Sequence, residues 1–172
     1  EVVHGIPGNR VLKEGDIISL DIGACSNGFH ADAAVTLPVG RVNRQARELI
    51  EVTQEALMAG IAAAKSGGRL GDVSAAIQSH VEARNFSVVR EYVGHGIGRD
   101  LHEDPQVPNF GVAGEGPSLK RGMTLALEPM VNVGSWQTRV TDNKWTVVTA
   151  DGKLSAHFEH TIAVTDGMPE IL

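Results

Sequence analysis

The sequence contains one cysteine, Cys25, so it holds no internal disulfide and no Cys-ligated zinc, and a lone thiol points to a reducing compartment such as the cytoplasm. Positive charge is also scarce. Lys and Arg number 15 against 21 Asp and Glu, a formal net charge of -6, so no basic face is available to neutralise a phosphate backbone. Direct nucleic-acid binding is not expected. No apolar run approaches the roughly 18 residues of a membrane span, and the chain start lacks the charged region and apolar stretch of a signal peptide. No membrane association is expected either. What is present, 172 residues of which 42% are hydrophobic and 21% charged, suits one globular domain with a buried core. Any metal held by this chain must rest on His and carboxylate.

Residues 16–37 form two alternating runs joined at Ser26-Asn27-Gly28, and Asn-Gly predicts a β-hairpin. Asn43 then caps a predicted helix with Ala46, Leu49, Ile50, Thr53, Leu57, Ile61 and Ala64 at helical spacing, ending before Ser66-Gly67-Gly68. A second helix is predicted from Asp72, with an apolar stripe of Val73, Ala76, Ile77 and Val81 and a stop at Asn85. Residues 94–118 are rich in Gly and Pro and read as loop or irregular strand. Strands return at 123–133, 145–150 and 154–165, with Asp151-Gly152 as the turn between the last two. The class is α+β with a mainly antiparallel sheet.

An internal repeat organises the rest. Residues 12–21, LKEGDIISLD, and 119–128, LKRGMTLALE, share the pattern Leu-Lys-x-Gly-x-x-x-x-Leu-acid. His-Gly-Ile precedes both, as His4-Gly5-Ile6 and His95-Gly96-Ile97, and a second strand acid follows both, Asp32 and Glu159. The order His, acid, acid therefore occurs twice. Two halves related by a pseudo-twofold, about 1–40 and 90–165 with helices over 43–85 between them, would turn their acids toward a shared centre within one domain spanning 1–172. The second copy is preceded by a helical segment that has no counterpart before His4, and the chain begins with Glu1, so a lost N-terminal helical segment is expected.

The chemistry follows from side-chain parity. With Asn27-Gly28 as the turn, Asp21 falls opposite Ala34 and Asp32 lies two residues along the same face, a diagonal of about 7 to 8 Å that lets both carboxylates reach one ion or two adjacent ones. A one-residue slip would destroy the pair. A single strand acid is ordinarily a solvated one, but Leu20 and Ile22 flank Asp21, and the Leu125–Met130 run around Glu128 should be buried, where a carboxylate needs a partner. Glu159 read alone is as well explained as an exposed acid; its place in the repeat argues otherwise. Glycines on both sides of His95 allow unusual dihedrals and close approach to a ligand. His102, seven residues on, can be aimed into the same cleft. His30, His80 and His157 have no comparable context, with His30 at most an outer partner of Asp32 and His80 on the surface. Cys25, without a neighbouring base, is a small apolar filler. Four carboxylates and one imidazole favour two carboxylate-bridged divalent ions over a structural zinc, and hydrolysis is the natural reaction class.

The stretches GHGIGRDLHEDPQVPNF (94–110), MTLALEPMV (123–131), WTVVTADGKLSAHFEHTIAVTDG (145–167) and HGIP (4–7) closely resemble type I methionine aminopeptidases over essentially the whole chain. That resemblance implies the duplicated pita-bread fold, with Asp21, Asp32, His95, Glu128 and Glu159 binding two divalent ions (Co, Mn, Fe or Zn) and Asp32 and Glu159 bridging them. It further implies that a bridging hydroxide attacks the carbonyl after an N-terminal Met followed by a small residue. Glu128 would help move protons, His102 would contact the substrate carbonyl or amide, His4 would support the tetrahedral intermediate, and Trp145 would lie near the substrate cleft. The expected partner is an N-terminal Met peptide or nascent chain, met at the ribosome by a monomeric enzyme. Two positions depart from the family pattern: Gly8 stands where an acid is usual, and His157 where Gln is usual. Neither is expected to touch the ligands. The missing N-terminal segment is expected to impair selectivity or turnover more than metal binding. Two other readings remain: a non-catalytic peptide-binding module, disfavoured because such a protein has no reason to bury four acids, and a relative cleaving X-Pro bonds, disfavoured by the type I motifs.

Overall fold

The computed structural model describes residues 1–172 and begins its regular structure at the expected hairpin. Strands β1 (Ile17–Ser26) and β2 (Phe29–Pro38) pair antiparallel across Asn27 and Gly28, whose φ values of 52° and 77° are the left-handed pair that a two-residue turn matched to strand twist requires. Asn43 accepts a hydrogen bond from the Ala46 amide at 2.8 Å and opens helix α1 (Arg44–Ala63). Helix α2 (Leu70–Glu82) starts two residues earlier than its apolar stripe suggested, because Asp72 caps backwards onto the Arg69 amide at 2.8 Å.

The remaining strands are short. They are β3 (Ser87–Val88), β4 (Gly94–Gly96), β5 (Glu103–Val107), β6 (Thr124–Leu127), β7 (Met130–Asn132), β8 (Thr138–Val140), β9 (Val147–Thr149), β10 (Ser155–His157), β11 (Glu159–Ala163) and β12 (Glu170–Ile171). The main sheet runs β1-β2-β11-β6-β4-β5, with β12 beside the far end of β11. Strands β10, β7 and β3 form a second sheet, and β8 and β9 a third.

Two predicted strands are each broken where an acid sits. The 123–133 run leaves the main sheet at Glu128-Pro129 and continues as β7 in the second sheet, and the 154–165 run changes from β10 to β11 at Phe158. Pro129 has no amide to extend a ladder, which accounts for the first break. Asp151-Gly152 does turn the chain, but it joins strands of different sheets: β9 pairs with β8, and β10 with β7. The segment 94–118 is correspondingly more ordered than its Gly and Pro content suggests, since β4 inserts between β5 and β6.

The fold is the duplicated pita bread. β2 and β11 meet at the centre, and a twofold axis through the Ala33–His160 pair exchanges Asp32 with Glu159. Leu125 and Leu127 of β6 and Ile162 of β11 point to one face, where they join Leu49, Leu57, Val73, Ile77 and Val81 of the two helices in the main core. Period-two alternation then sends Ala126, Glu159 and Thr161 to the opposite face.

Gly94 and Gly96 are required by the packing of the sheet. Neither has a positive φ, but a Cβ on Gly94 would lie 2.3 Å from the Ala126 carbonyl oxygen, and one on Gly96 would lie 2.3 Å from that of Asp104. Gly94→Ala therefore forces β4 away from β6 and is expected to destabilise by about 1 to 3 kcal/mol or more. Gly8→Ala, with nothing near its Cβ, is expected to stay within about 0.5 kcal/mol of the parent by urea denaturation.

Candidate metal centre

Register places the expected donors in adjacent rows on one face of the main sheet. Asp21 pairs with Ala34, and Ala34 pairs on its other side with Glu159, while Glu128 follows Leu127 immediately beyond the Leu127–His160 pair. One row therefore reads Asp21, Ala34, Glu159, Glu128. In the neighbouring row Gly23 pairs with Asp32, the ladder carries Asp32 to Thr161, Thr161 pairs with Ala126, and Ala126 pairs with His95. The residues between the donors are Ala, Gly and Thr, small enough to leave room above them.

Side-chain parity does set Asp21 and Asp32 on one face, but Asp21 is not buried. Leu20 and Ile22 are exposed, and the Asp21 side chain is 42% exposed, so desolvation is not what makes it unusual. Glu128 and Glu159 behave as a buried run predicts. Leu125, Ala126 and Leu127 are buried, Glu128 is nearly so, and Glu159 is 2% exposed with its Oε1 lacking any hydrogen-bond partner. Burial, then the charges of Glu128, Asp32 and Asp21, push the Glu159 carboxyl from 4.5 up to about 10. Asp32 is raised for the same reasons, burial first and the Asp21 charge next.

Each donor is held from its neighbours. The Thr161 hydroxyl accepts from the Asp32 amide and donates to the Asp32 carbonyl, both at 2.8 Å. The Glu128 carbonyl accepts from Asn109 Nδ2 at 3.0 Å. His95 Nδ1 donates to the Gly96 carbonyl at 2.9 Å, which leaves Nε2 with its lone pair, 3.5 Å from Glu128 Oε1. One ligand atom each from Asp32, His95 and Glu159 lie within 4.8 Å of one another, a spread that a single divalent ion spans with small side-chain adjustment. The orphaned Glu159 oxygen and the oxygen-rich donor set both fit divalent cations.

His102 is exposed, with its ring 4.3 Å from that of His95. His4 stacks on Trp145 at 4.5 Å, edge-on to Tyr92 at 6.0 Å, so these two expected substrate contacts adjoin each other. His30 instead bonds the Arg99 carbonyl at 3.1 Å, and His80 lies 2.9 Å from Glu55 across the helices. Cys25 is exposed and fills no core space. The reading of the sequence missed His157. Its ring is 1% exposed and stands among the acids, with Nε2 3.5 Å from Glu128 Oε2 and Nδ1 3.9 Å from Asp21 Oδ2, so this departure from the family pattern does touch the expected ligands. The signal was available: His157 shares the parity of Glu159 two residues on.

With this geometry in place, the comparisons are specific. The model of metallopeptidase family M24 matches residues 1–166. Methionine aminopeptidase 1 of Bacillus subtilis is 59% identical over 172 residues, spanning all of this chain and 69% of its own length; the Clostridium perfringens methionine aminopeptidase is 57% identical with the same coverage. Among solved structures, methionine aminopeptidase from Thermotoga maritima superposes with a TM-score of 0.98 at 54% identity, covering 99% of this chain and 69% of the other. Prolidase from Pyrococcus furiosus, at a TM-score of 0.77 and 22% identity over 98% of this chain and 44% of its own, shares the fold alone. The chain belongs to metallopeptidase family M24, and it is an enzyme, a metal-dependent hydrolase. Within that family its similarity is to the methionine aminopeptidases, which removes the support for a binding-only or an X-Pro-cleaving reading.

The raised Glu159 carboxyl gives the metal-free protein a defined pH dependence. Between 4.5 and about 10 the folded state holds a proton that the unfolded chain releases, so stability is present at low pH and falls as pH rises through that interval. Burial lowers His160, which acts in the opposite direction below about 6.5, so the informative quantity is the difference between parent and variant. Thermal melts of chelator-treated Glu159→Gln are expected to be flatter with pH than those of the parent, and the variant to melt above the parent at pH 8.

Proposed function

We propose that Asp21, Asp32, His95, Glu128 and Glu159 hold two divalent ions, with Asp32 and Glu159 shared between them, and that the enzyme hydrolyses the bond after an N-terminal methionine followed by a small residue. The observation that carries this reading is the five-donor face itself: two adjacent rows of one sheet, centred on a carboxylate too deeply buried to stay ionised unaided. Bound there, such ions lower the pKa of water so that hydroxide is available near neutral pH, and they polarise a carbonyl.

The chain's own residues supply the remainder. Glu128, nearly buried but open on one side toward both imidazoles, takes a proton from the attacking water and returns it to the departing amine. His102, exposed beside the His95 ring, donates to the substrate carbonyl or amide as charge develops there. His4 and Trp145 form a stacked pair whose faces suit the wall of a substrate cleft, His4 supporting the tetrahedral intermediate and Trp145 lining the cleft. The similarity to methionine aminopeptidases supports the substrate class. Co, Mn, Fe and Zn all suit the donor set, so the ion used is set by supply as much as by the site. No helix is long and apolar enough to cross a membrane, and the reading places a monomeric enzyme in the cytoplasm, meeting nascent chains at the ribosome.

The protein loaded with Co2+ is expected to release Met from Met-Ala-Ser and no amino acid from Ala-Pro peptides, followed by chromatography of the free amino acids. Asp32→Asn is expected to lose more than about a hundredfold in activity together with metal affinity, since even outer partners of metal ligands cost 10- to 100-fold. His102→Ala is expected to keep the parental metal content while kcat falls about 10² to 10³-fold. Equal release from Ala-Pro, or full activity in Asp32→Asn, contradicts the reading.

A further inference from the structure

His157 is the group that the five-donor reading leaves without a task. Its side chain is 1% exposed, and its Nε2 is buried with no hydrogen-bond partner, a costly arrangement unless something else engages the nitrogen. The nearest acceptor, Glu128 Oε2 at 3.5 Å, is too far for a hydrogen bond of useful strength. Yet the ring is not loosely placed. The Thr36 hydroxyl accepts from the His157 amide and donates to its carbonyl, both at 2.8 Å, and Ser19 Oγ in turn lies 2.7 Å from that hydroxyl. Residues Ser19, Thr36 and His157 thus extend the acid face by one row, just as Thr161 fixes Asp32 by the same two-way contact.

We propose that His157 is a metal ligand. One ligand atom each from Glu128, His157 and Glu159 lie within 4.8 Å of one another, a second cluster beside Asp32, His95 and Glu159 and sharing only Glu159 with it. Each ion of the pair then has one imidazole: His95 for the first and His157 for the second. Neither neighbouring carboxylate is hydrogen-bonded to the ring, Glu128 Oε2 lying 3.5 Å from Nε2 and Asp21 Oδ2 3.9 Å from Nδ1, so Nε2 is free to engage an ion. The consequence is chemical. A second nitrogen donor shifts the site toward ions that favour imidazole, such as Zn and Co, over those that favour oxygen, such as Mn.

The inference rests on the two-ion reading, and the test separates them. Protein saturated with Co2+ is analysed for bound cobalt and by X-ray absorption at the cobalt edge, whose outer-shell scattering counts imidazoles, beside stepwise calorimetric titration with Co2+ of the parent and His157→Gln. Two ions with an average of one imidazole each in the parent, and a second-ion Kd weakened tenfold or more in the variant with the first unchanged, is the expected result. Two ions sharing one imidazole in the parent, or two affinities unchanged within twofold in the variant, overturns the role of His157 and leaves the two-ion reading intact. Fewer than two ions bound to the parent overturns both. The parent's imidazole count decides the matter even if the variant folds poorly.

Discussion

The Glu159 carboxylate is the constraint on which the rest of the structure turns. It is 2% exposed, has one oxygen without a partner, and faces the charges of Glu128, Asp32 and Asp21. A folded chain would not retain such a group for stability, because a buried acid among acids is a cost that only a cation or a proton relieves. The strand breaks at Pro129 and Phe158, the two-way threonine contacts and the glycines of β4 can all be understood as the means of keeping donors close around that one position.

Duplication solves the geometric part of this problem. The central pair of strands, β2 and β11, places Asp32 and Glu159 on either side of a twofold, so two copies of one hairpin-like unit deliver two acids to a common point without any long loop. The outer acids do not obey the same symmetry. Asp21 lies within β1, whereas Glu128 sits where β6 gives way to β7, and both fall in the row of Glu159. That asymmetry leaves one end of the face open to His157 and the other to His95.

Much of this was legible in the sequence because it depends on local rules. The Asn27-Gly28 turn fixed the hairpin register, and register alone set Asp21 and Asp32 on one face. Asn43 marked the start of α1, and the repeat located Glu128 and Glu159 before any strand pairing was known. What was not legible depends on which strand lies beside which. The parity of His157 with Glu159 was readable two residues on, but its contact with Glu128 and Asp21, 29 and 136 positions away in the chain, follows only from the switch of sheet at Phe158. The role of Gly94 and Gly96 was misread for the same reason, since the atoms they avoid belong to Ala126 and Asp104. Asp21 looked enclosed by Leu20 and Ile22, and Cys25 was read as an apolar filler, yet β1 is the outer strand of its sheet and leaves both open.

A pair of cations gathered around Glu159 is what the whole arrangement requires. Crystals grown with Co2+ and measured at the cobalt absorption edge test it most directly. Two anomalous peaks sharing the Glu159 and Asp32 carboxylates between them are the predicted result. A single peak, or peaks that leave Glu159 without a cation, would contradict it.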